Sequence, residues 1–152
     1  MVGKTLFIGG GAMGSAILRG ALDQGVLSKD NVVVVEHTEE KCKALHTSLG
    51  IHTTTTLPDL DTINLIVLAV KPQVLPTVLS SLHGVKEGTH LVSIAAGVPL
   101  ATLEEAVPQG IWVRAMPNTP VSVGAGMTAI SISQTKQMAA SPLIERIFSA
   151  LG

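Results

Sequence analysis

Apolar positions along this chain gather into short continuous runs, and the segments between them carry apolar residues at spacings of three and four. Runs at 4–8, 31–36, 63–70, 90–95 and 111–116 hold few internal charges and are rich in Val, Ile and Leu. That is the pattern of strands buried on both faces of a sheet, where alternation gives way to unbroken apolarity. A shorter piece at 51–53 reads as a further strand. The stretch 127–132 alternates apolar with small polar residues and reads as a strand at a sheet edge. Helical spacing follows most of these runs. The segment at 15–22 should end near Gln24-Gly25, and a helix over Glu39–Leu49 should place Cys42, Leu45 and Leu49 on one face and end at Gly50. Pro72 suits the first turn of a helix reaching Leu82. Two more helices are predicted, over 99–106 and, capped by Thr135, over 135–151. Strands alternating with helices predict an α/β domain built on a doubly wound, mostly parallel sheet flanked by helices.

One junction in this pattern carries a chemical signature. The first strand, Lys4-Thr5-Leu6-Phe7-Ile8, runs directly into Gly9-x-Gly11-x-x-Gly14, and a helix follows. Strand, glycine turn and helix in that order form the dinucleotide fingerprint of a Rossmann-like fold. Gly9 permits the tight turn, Gly11 leaves room for a pyrophosphate, and Gly14 lets helix and strand approach. The unpaired N–H groups at the start of that helix would face the pyrophosphate. Glu36 lies twenty-two positions beyond Gly14, close to the roughly 20 expected of the acid that binds ribose hydroxyls. A carboxylate there favours NAD. His37, Thr38, Lys41 and Lys43 nearby would hold the 2′-phosphate of NADP if Glu36 turned away. On parallel sheets ligands bind beyond the carboxyl ends of the strands. The junctions at 9–14, 36–38, 69–72, 95–97 and 116–120 should therefore share one rim. Within the last, Asn118 and Thr119 stand between two prolines, where an amide and a hydroxyl can orient a nicotinamide or a small polar substrate. Lys71 reads equally well as a ligand contact or as a charge reaching solvent.

Composition and charge narrow the reading further. Length fits a single domain spanning 1–152. With 46% hydrophobic but only 2% aromatic residues, aliphatic side chains must fill the core. A formal net charge of −1 without a basic stripe argues against a nucleic-acid surface. The single cysteine, Cys42, excludes an intrachain disulfide. Five histidines show no ligand-like pairing, so no metal site is expected. No run is long enough without Pro or Gly to span a bilayer, and a cytoplasmic protein is expected. Neither a nucleophile elbow nor a Walker lysine appears, and no residue stands out as a general acid.

Taken together, several segments resemble the N-terminal domain of pyrroline-5-carboxylate reductase. They are Phe7-Ile8-Gly9-Gly10-Gly11-Ala12-Met13-Gly14-Ser15-Ala16-Ile17, Ala69-Val70-Lys71-Pro72, Ser93-Ile94-Ala95-Ala96-Gly97-Val98, Arg114-Ala115-Met116-Pro117-Asn118-Thr119-Pro120 and Gly124-Ala125-Gly126-Met127-Thr128. The resemblance implies hydride transfer from reduced NADP or NAD to the C=N carbon of 1-pyrroline-5-carboxylate, giving L-proline. It assigns the cofactor to Ile8, Gly9, Gly11, Ala12, Met13, Gly14, Glu36, His37, Thr38, Thr56, Ala69, Val70, Lys71, Pro72, Ala95, Ala96, Gly97 and Asn118, with Asn118 and Thr119 near the nicotinamide. Close positioning of a hydride donor against an electrophilic imine suffices for such chemistry.

Two departures from the family stand out. Its second strand ends in small hydroxyl or basic residues suited to NADP, where this chain has Glu36-His37. Its members also continue into a helical domain that forms a homo-oligomer and carries most substrate contacts, and that domain should begin where this chain stops. The expectation is a cofactor-binding fragment, incomplete for turnover alone. The alternatives are a stand-alone, non-catalytic dinucleotide module and a related imine or β-hydroxyacid reductase.

Overall fold

A computed structural model describes residues 4–117, 128–132 and 142–150. The elements are β1 (Lys4–Ile8), α1 (Ala12–Asp23), β2 (Val32–Val35), α2 (Glu39–Leu49), β3 (His52–Thr54), β4 (Ile63–Leu68), α3 (Leu75–Ser80), β5 (His90–Ser93), α4 (Leu100–Ala106), β6 (Ile111–Pro117), β7 (Thr128–Ile132) and α5 (Pro142–Ser149). The strands form one sheet in the order β3-β2-β1-β4-β5-β6-β7. The first six are parallel, and β7 pairs antiparallel with β6 at the edge. Strand order reverses between β1 and β4, so a crevice opens beyond their carboxyl ends.

Successive residues of β1 divide between the two faces. Phe7 packs with Ile17, Leu18 and Ala21 of α1 and with Ile144, Ile147 and Phe148 of α5. Leu6 and Ile8 pack on the other face with Leu75 and Leu79 of α3, Leu103 of α4 and Trp112 of β6. The sheet is thus covered on both sides, and the aliphatic runs follow from that. Trp112 is fully buried, and its indole N–H donates to the Val107 carbonyl at 3.0 Å. As the spacing predicts, α2 buries Cys42, Leu45 and Leu49. It begins with the Thr38 hydroxyl accepting from the Lys41 N–H and ends at Gly50 in the left-handed region.

Several boundaries differ from the sequence expectation. The strand expected at 63–70 ends at Leu68, because β1 itself ends at Ile8, which pairs with Leu68. The strand expected at 90–95 ends at Ser93, whose hydroxyl accepts from the Ala95 N–H at 3.3 Å and turns the chain outward. The helix expected from Pro72 to Leu82 spans only Leu75–Ser80. A helix started at Pro72 would bring Pro76 into its interior without an N–H to donate; instead Pro76 sits in the first turn. The last helix is described over Pro142–Ser149; its expected start at Thr135 lies outside the described residues.

Candidate functional site

The glycine turn is shaped from three sides. Gly9 has φ +93°, and a Cβ there would stand 2.5 Å from the Ala69 carbonyl oxygen. A Cβ on Gly14 would meet Ala69 Cβ and the Gly9 carbonyl oxygen, each at 2.9 Å. These two glycines are required by the close approach of β1, α1 and the segment after β4. Gly11 is different, since a Cβ there would meet nothing within 4 Å. Protein packing does not require glycine at this position, whereas a ligand lying against the backbone would. The Gly11 residue caps α1 without a side-chain hydrogen bond, and no acid stands in the first turn. The positive end of α1 is therefore free of a neighbouring carboxylate from its own first turn, as an anionic ligand requires. Ser15 braces the turn by donating its hydroxyl to the Gly10 carbonyl at 2.6 Å.

Two clefts flank Gly11. One, of about 370 Å³, runs from Gly11, Ala12, Met13 and Gly14 to Ala69, Val70, Lys71 and Pro72 after β4 and to Ile94, Ala95 and Ala96 after β5. The other, of about 330 Å³, lies between Gly10, Gly11 and Glu36 and the face of α2 bearing Lys41, Ala44, Leu45 and Ser48. Backbone bonds hold the ends of the strands level: the Gly9 N–H donates to Val35, Ala69 to Ile8 and Ile94 to Leu68. Glu36 is tied to the turn, its Oε2 accepting from the Gly10 N–H at 2.8 Å and its Oε1 from the His37 N–H at 2.9 Å.

Most sequence-predicted site residues fall on this rim. Gly11, Ala12, Met13, Gly14, Ala69, Val70, Lys71, Pro72, Ala95 and Ala96 line the first cleft, and Glu36 lines the second. Others stand apart from these linings. Ile8 is buried in the core, and the Thr38 hydroxyl is occupied in capping α2. Thr56 is exposed and bonded to Thr54, and Gly97 borders a different groove. His37 is exposed beside the second cleft's entrance at Glu36. Asn118 and Thr119 lie outside the described residues. Sequence reasoning did not single out Gly10, Ala44, Leu45, Ser48 or Ile94 as site residues, though they also line these clefts. The i, i+3, i+7 spacing of Lys41, Ala44 and Ser48 on α2 was the available signal.

Two larger depressions do not meet the glycine turn. An apolar groove of about 520 Å³ separates α3 from α4, and a hollow of about 600 Å³ lies between α2 and the outer strand β3. Size alone would select these. The strand-end position and the open face of Gly11 favour the smaller clefts. Among the described residues no three His, Cys, Asp or Glu side chains come together to hold a metal, and no helix is long and apolar enough to cross a membrane.

Residues 4–97 match the family described as NADP oxidoreductase, coenzyme F420-dependent, and the chain belongs to that family. It is also similar to pyrroline-5-carboxylate reductase of Synechocystis sp., at 35% identity over 95% of this chain and 55% of that protein. Among solved structures, a pyrroline-5-carboxylate reductase from Coxiella burnetii superimposes with TM-score 0.90 at 30% identity, covering 100% of this chain and 57% of the other. The Plasmodium falciparum pyrroline carboxylate reductase with NADP bound gives TM-score 0.83 at 25% identity, over 98% and 55% of the two chains. The chain spans about half the length of the curated relatives it matches.

Proposed function

We propose that this chain is the cofactor-binding part of an NAD(P)H-dependent reductase that converts 1-pyrroline-5-carboxylate to L-proline. The observation that carries the reading is that two clefts meet at Gly11, the one glycine of the turn where protein packing leaves the Cβ space open. Each cleft is at the small end of the roughly 300–1,000 Å³ typical of ligand sites, as suits the two halves of a dinucleotide. The backbone N–H groups at the start of α1 hold the pyrophosphate. The cleft beside α2 takes the adenosine end, and the cleft formed by Ala69, Val70, Pro72, Ala95 and Ala96 takes the nicotinamide end. When bound, the reduced nicotinamide supplies the hydride that reduces the substrate's C=N bond.

The apolar walls at Val70, Pro72, Ile94 and Ala95 position and shield that end of the site, while Asn118 and Thr119 are assigned to the same end by their motif. Similarity to pyrroline-5-carboxylate reductases over nearly the whole chain supports the choice of substrate. In this reading a helical domain outside the 152 residues supplies the substrate-carboxylate contacts and the homo-oligomer interface, and the enzyme is cytoplasmic.

Calorimetric titration with NADH and NADPH tests the reading. At least one should bind, and Gly11→Val should weaken it at least about tenfold by filling the pyrophosphate's space. Unchanged affinity in Gly11→Val would overturn the placement, and no binding of either nucleotide would overturn the reading.

A further inference from the structure

Every lysine and arginine among the described residues is exposed except Arg114, which is half-buried on β6. Side chains alternate between the faces of a strand. Trp112, two residues before, is fully buried on the α3 and α4 side of the sheet, and Met116, two residues after, is 49% exposed. Arg114 thus stands where one face of β6 passes from core to solvent. Its Nε is buried and, among the described residues, has no hydrogen-bond partner. An ionised donor left in this way costs stability until an acceptor reaches it.

The surrounding elements hold no carboxylate to supply that acceptor. Residues 90–100, 111–117 and 128–132 contain neither Asp nor Glu. Helix α4 returns from the carboxyl end of β5 toward the start of β6, and its acids, Glu104 and Glu105, fall in its second half. In register beside Arg114 is Ser93, whose fully buried hydroxyl already accepts from the Ala95 N–H. The position is nevertheless one that a ligand can approach. Arg114 is level with Ser93, Leu68 and Ile8, the last residues of their strands. Beyond it β6 continues to Pro117 paired with β7 alone. The residues just past Ser93 line the cleft assigned to the nicotinamide. Neighbouring strands lie about 4.8 Å apart, which puts that wall within the length of an arginine side chain. A guanidinium presents its Nε–H and a terminal N–H as a fork that fits both oxygens of a carboxylate.

We propose that Arg114 is a substrate-binding residue whose guanidinium takes the carboxylate of the imine acid and holds the ring at the nicotinamide end of the cleft. This contact comes from the chain itself, in addition to those supplied by the helical domain. That the carboxylate is the substrate's rests on the reductase reading above.

The chain has three arginines, Arg19, Arg114 and Arg146, so side-chain Nε–H signals in nitrogen–proton NMR spectra of the 152-residue protein report on Arg114 directly. The probe is L-proline, the product acid. Pyrrolidine serves as the same ring without a carboxylate, and acetate as a mimic of an Asp or Glu side chain. L-Proline should move the Arg114 signal saturably and leave Arg19 and Arg146 in place. Pyrrolidine should not move it, and acetate should bind at least about tenfold more weakly than L-proline. Arg114→Lys should weaken L-proline binding, followed by the backbone signals of Ile94 and Ala95, at least about tenfold, since an ammonium lacks the fork. Arg114→Met should leave the urea midpoint unchanged or raise it, because it removes a charge that the fold does not pair. A lowered midpoint in Arg114→Met would show the arginine to be held by the fold itself and would overturn the proposal. So would no response to L-proline, an equal response at all three arginines, or acetate acting as strongly as L-proline. The dinucleotide reading is judged separately, by titration with NADH and NADPH, and survives any of these failures.

Discussion

The chain leaves β1 and β5 by two routes that reach the same cleft but are constrained differently. After β1 the path to α1 takes three residues, and its first glycine is pinned against Ala69 on the neighbouring segment. After β5 the path to α4 takes six residues, 94–99, and its glycine, Gly97, has φ +76°, where a Cβ would meet nothing within 4 Å. Tertiary packing therefore requires glycine in the first turn, whereas local backbone conformation alone requires it at Gly97 in the second. A pyrophosphate needs N–H groups already in place, and the crowded turn provides them without reorganisation. The loop after β5 contributes Ile94, Ala95 and Ala96, an apolar wall held to the sheet by the Ile94 N–H donating to Leu68 and the Ala95 N–H donating to the Ser93 hydroxyl.

Substitution of the glycines sharpens this contrast. Gly9→Ala should have the largest effect, since a positive φ and a collision with the Ala69 carbonyl act together. The expected loss is roughly 3 kcal/mol, a large share of the roughly 5–15 kcal/mol that stabilises a domain. Urea denaturation measures it, and a loss below about 1 kcal/mol would show that the turn can relax away from Ala69. Gly97→Ala should cost about 1–2 kcal/mol from backbone strain alone, with nucleotide affinity changed only a few-fold. Gly11→Val should change stability least, by about 1 kcal/mol or less, because its φ of −69° and ψ of −166° suit any residue and only the cap is weakened. It should nevertheless weaken nucleotide binding most. If Gly11→Val instead destabilises as much as Gly9→Ala, the space beside it is not reserved for a ligand.

The same contrast explains how much was legible in the sequence. Apolar runs located the strands, and Gly50 marked the end of α2, because these are local signals. The glycine fingerprint located the turn between β1 and α1 for the same reason. Strand ends at Leu68 and Ser93 were misjudged because Ala69, Val70, Ile94 and Ala95 remain apolar beyond the sheet, where they line a cleft while Val70, Ile94 and Ala95 also pack against the core. Periodicity cannot separate those two kinds of burial. The start of α3 depended on which of two prolines occupied its first turn, and Pro76 excluded the earlier register. The anchoring of Glu36 to Gly10 joins residues 26 positions apart. Spacing placed the acid near the turn, but only packing of α2 against the turn shows that it is fixed there.

The central claim is that one dinucleotide spans both small clefts across Gly11, despite the larger grooves elsewhere. Mapping backbone amide chemical shifts during titration with NADH tests it most directly. The largest changes are expected at Gly10, Gly11, Ala12, Met13 and Gly14, with further changes at Glu36, Val70 and Ala95, and none centred on Leu79, Thr102 or Ala106 of the α3–α4 groove. Changes centred on that groove, or on Thr53, Thr54 and Thr55 beside β3, with the glycine turn unmoved, would contradict it.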